Sequence, residues 1–249
     1  MFYYYFFPQA ISSIVSILSK YDSDQMYPVV GFGAKYGGVV RHCFQCGSKA
    51  EVHGVQGVLD AYSETFSSGL IMSGPTVFVD CIRMAAKRSQ DEAVKASSAG
   101  KQSYTILLII TDGAVSDPNA TAEILSQVSG SPLSVVIVGV GNADFLAMHF
   151  LDNHNHPGQR DIAQFVEFNK HNHSSVELTQ QTLHEIPDQL VGHFKSRGIA
   201  PLPPVQTGDD EIVVEAEEEE IDLSLDFSEE EIVVSGGGNG FVDGFNASR

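Results

Sequence analysis

Two apolar runs constrain this chain most. Tyr104 to Ile110 reads Tyr-Thr-Ile-Leu-Leu-Ile-Ile and ends on Thr111-Asp112-Gly113, and Pro132 to Gly141 follows about twenty residues later. Continuous runs of β-branched residues and Leu, seven or so residues long, suit strands buried on both faces, as in parallel sheets. A carboxylate followed by Gly at the end of such a strand lies where open α/β sheets bind ligands. Thirty-six positions before Asp112 stands Ser73-Gly74-Pro75-Thr76, a hydroxyl ahead of another apolar, helix-like stretch. Thr76 and Asp112 at successive strand ends are two parts of an oxygen-ligand site for a hard cation.

Around these runs the apolar period alternates between strand and helix. Helical spacing covers roughly 9–20, 55–69, 77–87, 119–128 and 176–195, and strands are expected at 27–33, 104–111, 133–140 and 161–168. Residues 37–50 read as loop with a hairpin around Val39 to Phe44, and 89–103 as a polar surface excursion. Strands alternating with helices of this length imply parallel pairing through right-handed crossovers. Pro201-Leu202-Pro203-Pro204 ends the domain, and the Glu-, Asp-, Ser- and Gly-rich remainder is expected to be disordered. The organisation is therefore an aromatic leader at 1–8, one α/β domain at 9–200 and an acidic tail at 201–249.

Charge follows that division. Residues 208–249 hold 14 acids against Arg249 alone, whereas the other 207 residues hold 18 acids and 13 bases. No basic stripe is available to neutralise phosphates, which argues against nucleic acid. Met1 to Pro8 lacks a basic leader and a small-residue cleavage site, and Pro8, Gln9 and the serines up to Ser19 interrupt any span of about 20 apolar residues. A cytoplasmic protein is expected, with the nucleus also open.

A set of motifs, in order and at characteristic spacing, then points to one family. It comprises Tyr21-Asp22-Ser23-Asp24, Gly31-Phe32-Gly33-Ala34, Gly57-Val58-Leu59-Asp60-Ala61-Tyr62, Gly74-Pro75-Thr76, Leu108 to Gly113, Val138 to Gly141, Arg160 to Val166 and Ile186 to Val191. Together they resemble the C-terminal copine domain, a relative of the von Willebrand factor type A domain, over about residues 9–200. The resemblance implies a doubly wound, mostly parallel sheet of Rossmann-like layout with a metal-ion-dependent adhesion site at the strand C-termini. It also implies a domain that binds proteins and is not an enzyme. The family's Asp-x-Thr/Ser-x-Ser motif precedes the first helix, and Met1 to Phe7 contain neither Asp nor Ser. The chain is therefore expected to be truncated and to lack the first central strand, unless Phe2 to Phe7 fill that gap. Truncated copine domains also leave two other functions open. One is substrate recruitment for a RING-type ubiquitin ligase of the copine-like branch, and the other is a fragment of a calcium-dependent phospholipid-binding protein. The anionic tail disfavours membrane association for this chain alone.

Within the resemblance, Thr76 and Asp112 align with two metal-ligand positions, for Mg²⁺ or Mn²⁺. Two readings stand side by side: a residual cation site, or Thr76 capping a helix near Val77 and Asp112 stabilising its own turn. Asp117 either adds a carboxylate behind the site or begins the next helix. Cys43-Phe44-Gln45-Cys46 has zinc or redox spacing without a second pair, and is read with Cys81 as reduced thiols. His154, His156, His171 and His173 form His-x-His pairs with no evident third ligand, and Gly139-Val140-Gly141 lacks the rest of a dinucleotide fingerprint. In the tail, Glu211-Ile212-Val213-Val214 is echoed at Glu231 to Val234. Ile212, Val213 and Val214 beside acids resemble a SUMO-interacting motif, an edge strand for a partner's sheet, against the reading of a solubilising tail.

Overall fold

The structure, a computed structural model, describes residues 3–36, 38–152 and 158–203. The tail, with Ile212, Val213 and Val214, and His154 and His156 lie outside the described residues. The first half of the chain holds α1 (Tyr3–Ser19), then short strands β1 (Met26–Tyr27), β2 (Val30–Gly31), β3 (Ala34–Tyr36), β4 (Val39–Arg41), β5 (Phe44–Gln45) and β6 (Val52–His53). It continues through α2 (Gly54–Ser67), β7 (Ile71–Met72) and α3 (Val79–Ser98). The second half holds β8 (Thr105–Thr111), α4 (Pro118–Val128), β9 (Leu133–Gly139), α5 (Leu146–Asp152), β10 (Ala163–Glu167), α6 (Phe168–His171), α7 (Ser175–Leu183) and α8 (Ile186–Ser196).

The long apolar runs form a parallel sheet in the order β10-β9-β8. Every residue of β9 is buried, and its side chains alternate between two cores. Leu133, Val135 and Ile137 pack with Phe78 and Ile82 at the start of α3, with α4 and with Met148 of α5. Val136 and Val138 pack with Ala10 and Ile14 of α1, and with Phe168, Leu178 and Ile186. Helices thus cover both faces, which explains a sequence with no polar alternation. Each such Val or Ile contributes about 1.5–3 kcal/mol of burial. The β8 strand has β9 on one side and, among the described residues, no strand on the other. Its residues are correspondingly half-buried except Ile109 and Thr111.

Several local expectations change. Helix α1 reaches back to Tyr3 and carries Pro8 inside it, so the aromatic stretch from residue 3 is helical and supplies no strand to the sheet. The polar stretch after Ser89 continues α3 to Ser98 instead of forming a surface excursion. Ala, Lys, Gln and Glu are good helix formers, and a segment running out into solvent needs no apolar stripe. The last amphipathic stretch is two helices, α7 and α8, broken at His184-Glu185, with Pro187 in the first turn of α8 where its missing N–H is harmless. Residues 26–53 pair antiparallel in two- and three-residue strands, and the hairpin is β3–β4, extended by β7, and not around Val39 to Phe44, because β5 pairs with β2. Among the described residues no helix is long and apolar enough to cross a membrane.

Below the sheet, Arg160 fixes the strand starts. Its guanidinium donates to the carbonyl oxygens of Ser129 (3.2 Å), Ser131 (2.6 Å), Leu133 (2.9 Å) and Gln189 (3.1 Å), and to the Tyr104 hydroxyl (2.9 Å). All five N–H donors are thereby used. Because Tyr104 accepts from Arg160, its own proton goes to Ser134 Oγ (2.8 Å). Ser134 donates in turn to Gln189 Oε1 (2.6 Å), and Gln189 Nε2 to Glu185 (3.1 Å).

Replacing Arg160 with Met strips these carbonyls of their donor and should cost at least about 2 kcal/mol in urea unfolding. A loss below about 0.5 kcal/mol would show that the network does not hold the fold.

The same region predicts an unusual pH profile. His193, 4% exposed, is held down to about 4 by burial and by the Arg160 and Arg197 charges. Its contribution to stability is complete above its ordinary pKa of 6.5 and is lost as pH falls towards 4. Glu185 is pushed up to about 7 by burial and by Asp161 and Asp152. Its contribution is complete below its ordinary 4.5 and is lost as pH rises through about 7. Across pH 4.5–6.5 the two slopes oppose each other. Glu185→Gln should make stability fall on acidification, and His193→Gln should make it rise. Urea melts at three pH values check this, and parallel profiles for the two variants would refute it.

Candidate functional site

Three loops converge at the C-terminal end of the parallel sheet. The β8 strand turns at Thr111, whose hydroxyl donates to the Gly113 carbonyl (2.9 Å) and accepts the Gly113 N–H (3.3 Å). Val140 N–H, just after β9, donates to the Thr111 carbonyl (2.8 Å). Thr111 is 3% exposed, so this hydroxyl closes the turn from within and Asp112 is left exposed. The turn is therefore held by Thr111, not by Asp112 as one reading of the sequence had it. Asp112 has no hydrogen-bond or ion-pair partner among the described residues.

The second loop, residues 73–78, is clamped to the segment after this turn. Thr76 N–H donates to Ser116 Oγ and Ser116 N–H donates back to the Thr76 carbonyl, both at 2.9 Å. A Cβ placed on Gly113 would lie 4.0 Å from Thr76 Oγ1, so the threonine hydroxyl sits beside the Asp112-Gly113 turn. Gly74 has φ +97° and faces Val40 so closely that a Cβ would come within 2.8 Å of Val40 Cγ1. The third loop joins through Ser73 N–H to the Gly33 carbonyl (3.0 Å), and Phe32 meets Phe78 edge to face at 5.2 Å.

The helix after this loop starts at Val79 with Phe78 as its N-cap and no side-chain cap. Thr76 is thus two residues too early to cap it, and its hydroxyl hydrogen-bonds to none of the described residues. The Thr76 hydroxyl thus lies beside the turn that carries Asp112, 36 positions along the chain. Asp117 behaves differently. Its carboxylate accepts from Ala120 N–H (2.9 Å) and caps α4, while Pro118 takes the first helical turn.

Other candidate groups have structural partners. His171 Nδ1 and His173 Nε2 meet the two oxygens of Glu177 at 2.8 and 3.1 Å. Hydrogen bonding from His171 holds the Glu177 carboxyl below its usual range, helped by the charge of His173. The His-x-His pair is thus taken up by ion pairing with a glutamate one helical turn beyond His173. Gly139 admits no side chain because the Phe145 ring lies 2.7 Å from where its Cβ would be, which gives the Gly-Val-Gly run a packing role. Among the described residues no group of three or more His, Cys, Asp or Glu side chains is placed to hold a metal ion. Ser116, which sequence pattern did not single out, is the residue that positions Thr76.

Comparison with known proteins shows what this chain is similar to. The profile of the family described as Copine matches residues 5–202. Copine-C of Dictyostelium discoideum is 43% identical over 209 residues, covering 80% of this chain and 38% of that protein. Copine-B of the same organism is 44% identical over 206 residues, 79% of this chain and 38% of the relative. Protein BONZAI 1 of Arabidopsis thaliana is 35% identical over 211 residues, 80% and 36% respectively. The chain thus spans less than two fifths of the length of these relatives.

Ser116→Ala removes one bond of the reciprocal clamp and should cost about 0.5–1.5 kcal/mol. Hydrogen exchange at the Thr76 amide should accelerate while β9 amides stay protected, and unchanged protection at Thr76 would refute the clamp.

Proposed function

This chain belongs to the copine family, and on that footing we propose that its α/β domain is a non-catalytic protein-binding module. It contacts its partner through the loop cluster that carries Thr76 and Asp112, in a doubly wound layout of the von Willebrand A type. One observation carries the reading. The Thr76 hydroxyl lies beside the Asp112-Gly113 turn, and neither residue has a partner among the described residues for its hydroxyl or carboxylate.

The donor set fits a hard divalent ion held loosely. Mg²⁺ takes oxygen ligands in an octahedron and keeps several waters, so one carboxylate and one hydroxyl suffice for a weak site. A partner's carboxylate would fill a remaining position and couple metal binding to protein binding. Mg²⁺ or Mn²⁺ there supplies positive charge to an exposed acidic turn. Of the acid and base groups raised by the sequence, His171 and His173 are paired with Glu177, and Asp117 caps its helix. Membership of the copine family favours an interaction role for the cluster over catalysis. Coverage of 38% of Copine-C and Copine-B makes this domain one module of the longer relatives.

Isothermal titration of Mg²⁺ and Mn²⁺ into the full chain tests the site, with urea unfolding run alongside to confirm folding. Saturable binding with Kd of roughly 0.1–1 mM is expected, abolished in Asp112→Ala and weakened in Thr76→Ala. No binding by a folded chain, or equal binding by Asp112→Ala, would remove the metal from the proposal.

A further inference from the structure

The three cysteines are not paired as their spacing suggests. Cys46, 7% exposed, faces inward, its Sγ 3.2 Å from where a Cβ on Gly31 would lie. Cys43 is half-buried on the turn between β4 and β5. Its side chain neighbours that of Cys81, the third residue of α3 and 2% exposed. The backbone reinforces this approach: Cys81 Sγ donates to the carbonyl of His42, the residue before Cys43, at 3.2 Å. Two elements 38 positions apart thus bring two thiols together, one reachable from solvent and one enclosed.

We propose that Cys43 and Cys81 are an oxidisable thiol pair, in which a hydroperoxide oxidises Cys43 and Cys81 resolves it to an intramolecular disulfide. The proposal is independent of the metal reading. The asymmetry of the pair assigns the roles. Cys81 carries one proton, which goes to the His42 carbonyl while Cys43 is neutral and to the Cys43 sulfur once that is a thiolate. This donation brings the Cys43 thiol down to about 7, against the opposing effects of its burial and of Asp80. The same hydrogen bond, with burial and the nearby Cys43, Asp80 and Cys46, pushes the Cys81 thiol up. The thiolate is the nucleophile, so the more exposed and more acidic sulfur reacts first.

The steps balance without a further reagent. The Cys43 thiolate attacks the peroxide oxygen, an S–O bond forms, the O–O bond breaks, and the alkoxide or hydroxide leaving group takes up a proton. The sulfenic acid so formed is attacked by the Cys81 sulfur. An S–S bond forms, the S–O bond breaks, and the departing hydroxide leaves as water with the proton of Cys81. Two sulfurs are oxidised by one electron each, and the peroxide is reduced by two. The disulfide would staple the β4–β5 turn to the first turn of α3. That staple lies next to the Thr76 loop, because His42 Cε1 is 3.8 Å from the Cβ position on Gly74.

The test exposes the reduced full chain to hydrogen peroxide, alkylates the remaining thiols, and maps the linkage by mass spectrometry. Loss of two of the three thiols, a Cys43–Cys81 linked peptide, an alkylated Cys46 and recovery with dithiothreitol are expected. Cys81→Ser should instead accumulate sulfenic and sulfinic acid on Cys43 without a linkage, and Cys46→Ser should still form the disulfide. A Cys43–Cys46 linkage, a purely intermolecular one, or no loss of thiols in the wild-type chain would overturn the proposal.

Discussion

The fold depends on one unpaired cation placed where backbone would otherwise be orphaned. Sheet strands that start inside a protein leave carbonyls of the preceding turns facing inward, and each buried carbonyl requires a donor. Arg160 supplies five donors from one planar group, reaching Ser129, Ser131 and Leu133 around the start of β9 and Gln189 on α8. No carboxylate among the described residues pairs with it; the carbonyl dipoles compensate its charge. The fifth donor sets the direction of the relay through Tyr104, Ser134 and Gln189 to Glu185. Ser134 is fully buried in the central strand, and this relay makes its hydroxyl tolerable there.

That anchoring divides the domain physically. At the lower end of the sheet Arg160 satisfies the carbonyls around the strand starts, and burial with the Arg160 and Arg197 charges opposes protonation of His193. At the upper end the backbone of the loops is clamped by reciprocal bonds, such as those between Thr76 and Ser116, while some side-chain oxygens remain available. A sheet with helices on both faces can afford such an end only because its rigidity comes from elsewhere, chiefly from β9 and the Arg160 hub.

The parts of the fold readable in the sequence are those fixed by a period or a single residue type. The run 133–139 announced a strand buried on both sides, and Asp117-Pro118 announced a capped helix start. The polar half of α3 was unreadable because it packs against little and so has no stripe. Helix α1 extends to Tyr3 although Pro8 in it suggested a boundary. At the site, Thr76 and Asp112 could be named from motif resemblance. Their proximity, the Ser116 clamp and the Thr111 closure depend on contacts 2 to 40 positions apart, which no local pattern encodes. Cys81 with Cys43, and Glu177 with His171 and His173, escaped notice for the same reason: short spacing drew attention to Cys46 and to the histidines alone.

Four other aspartates of the second half differ from Asp112. Asp117 accepts from Ala120 N–H, Asp144 from Leu146 N–H at 3.0 Å, Asp152 from Phe165 N–H at 2.6 Å and Asp161 from Ala163 N–H at 3.1 Å. Asp117, Asp144 and Asp161 each close a turn or cap an element, as short acidic side chains near backbone donors tend to do, and Asp152 ties the end of α5 to β10. Asp112 has no such duty because Thr111, its buried neighbour, already binds both polar groups of Gly113. A carboxylate relieved of structural work by the residue beside it keeps its lone pairs for a ligand. Thr76 is relieved in the same way, since its backbone and not its hydroxyl holds the loop. The two available oxygens are therefore products of the same local economy of hydrogen bonds that makes the surrounding loops rigid.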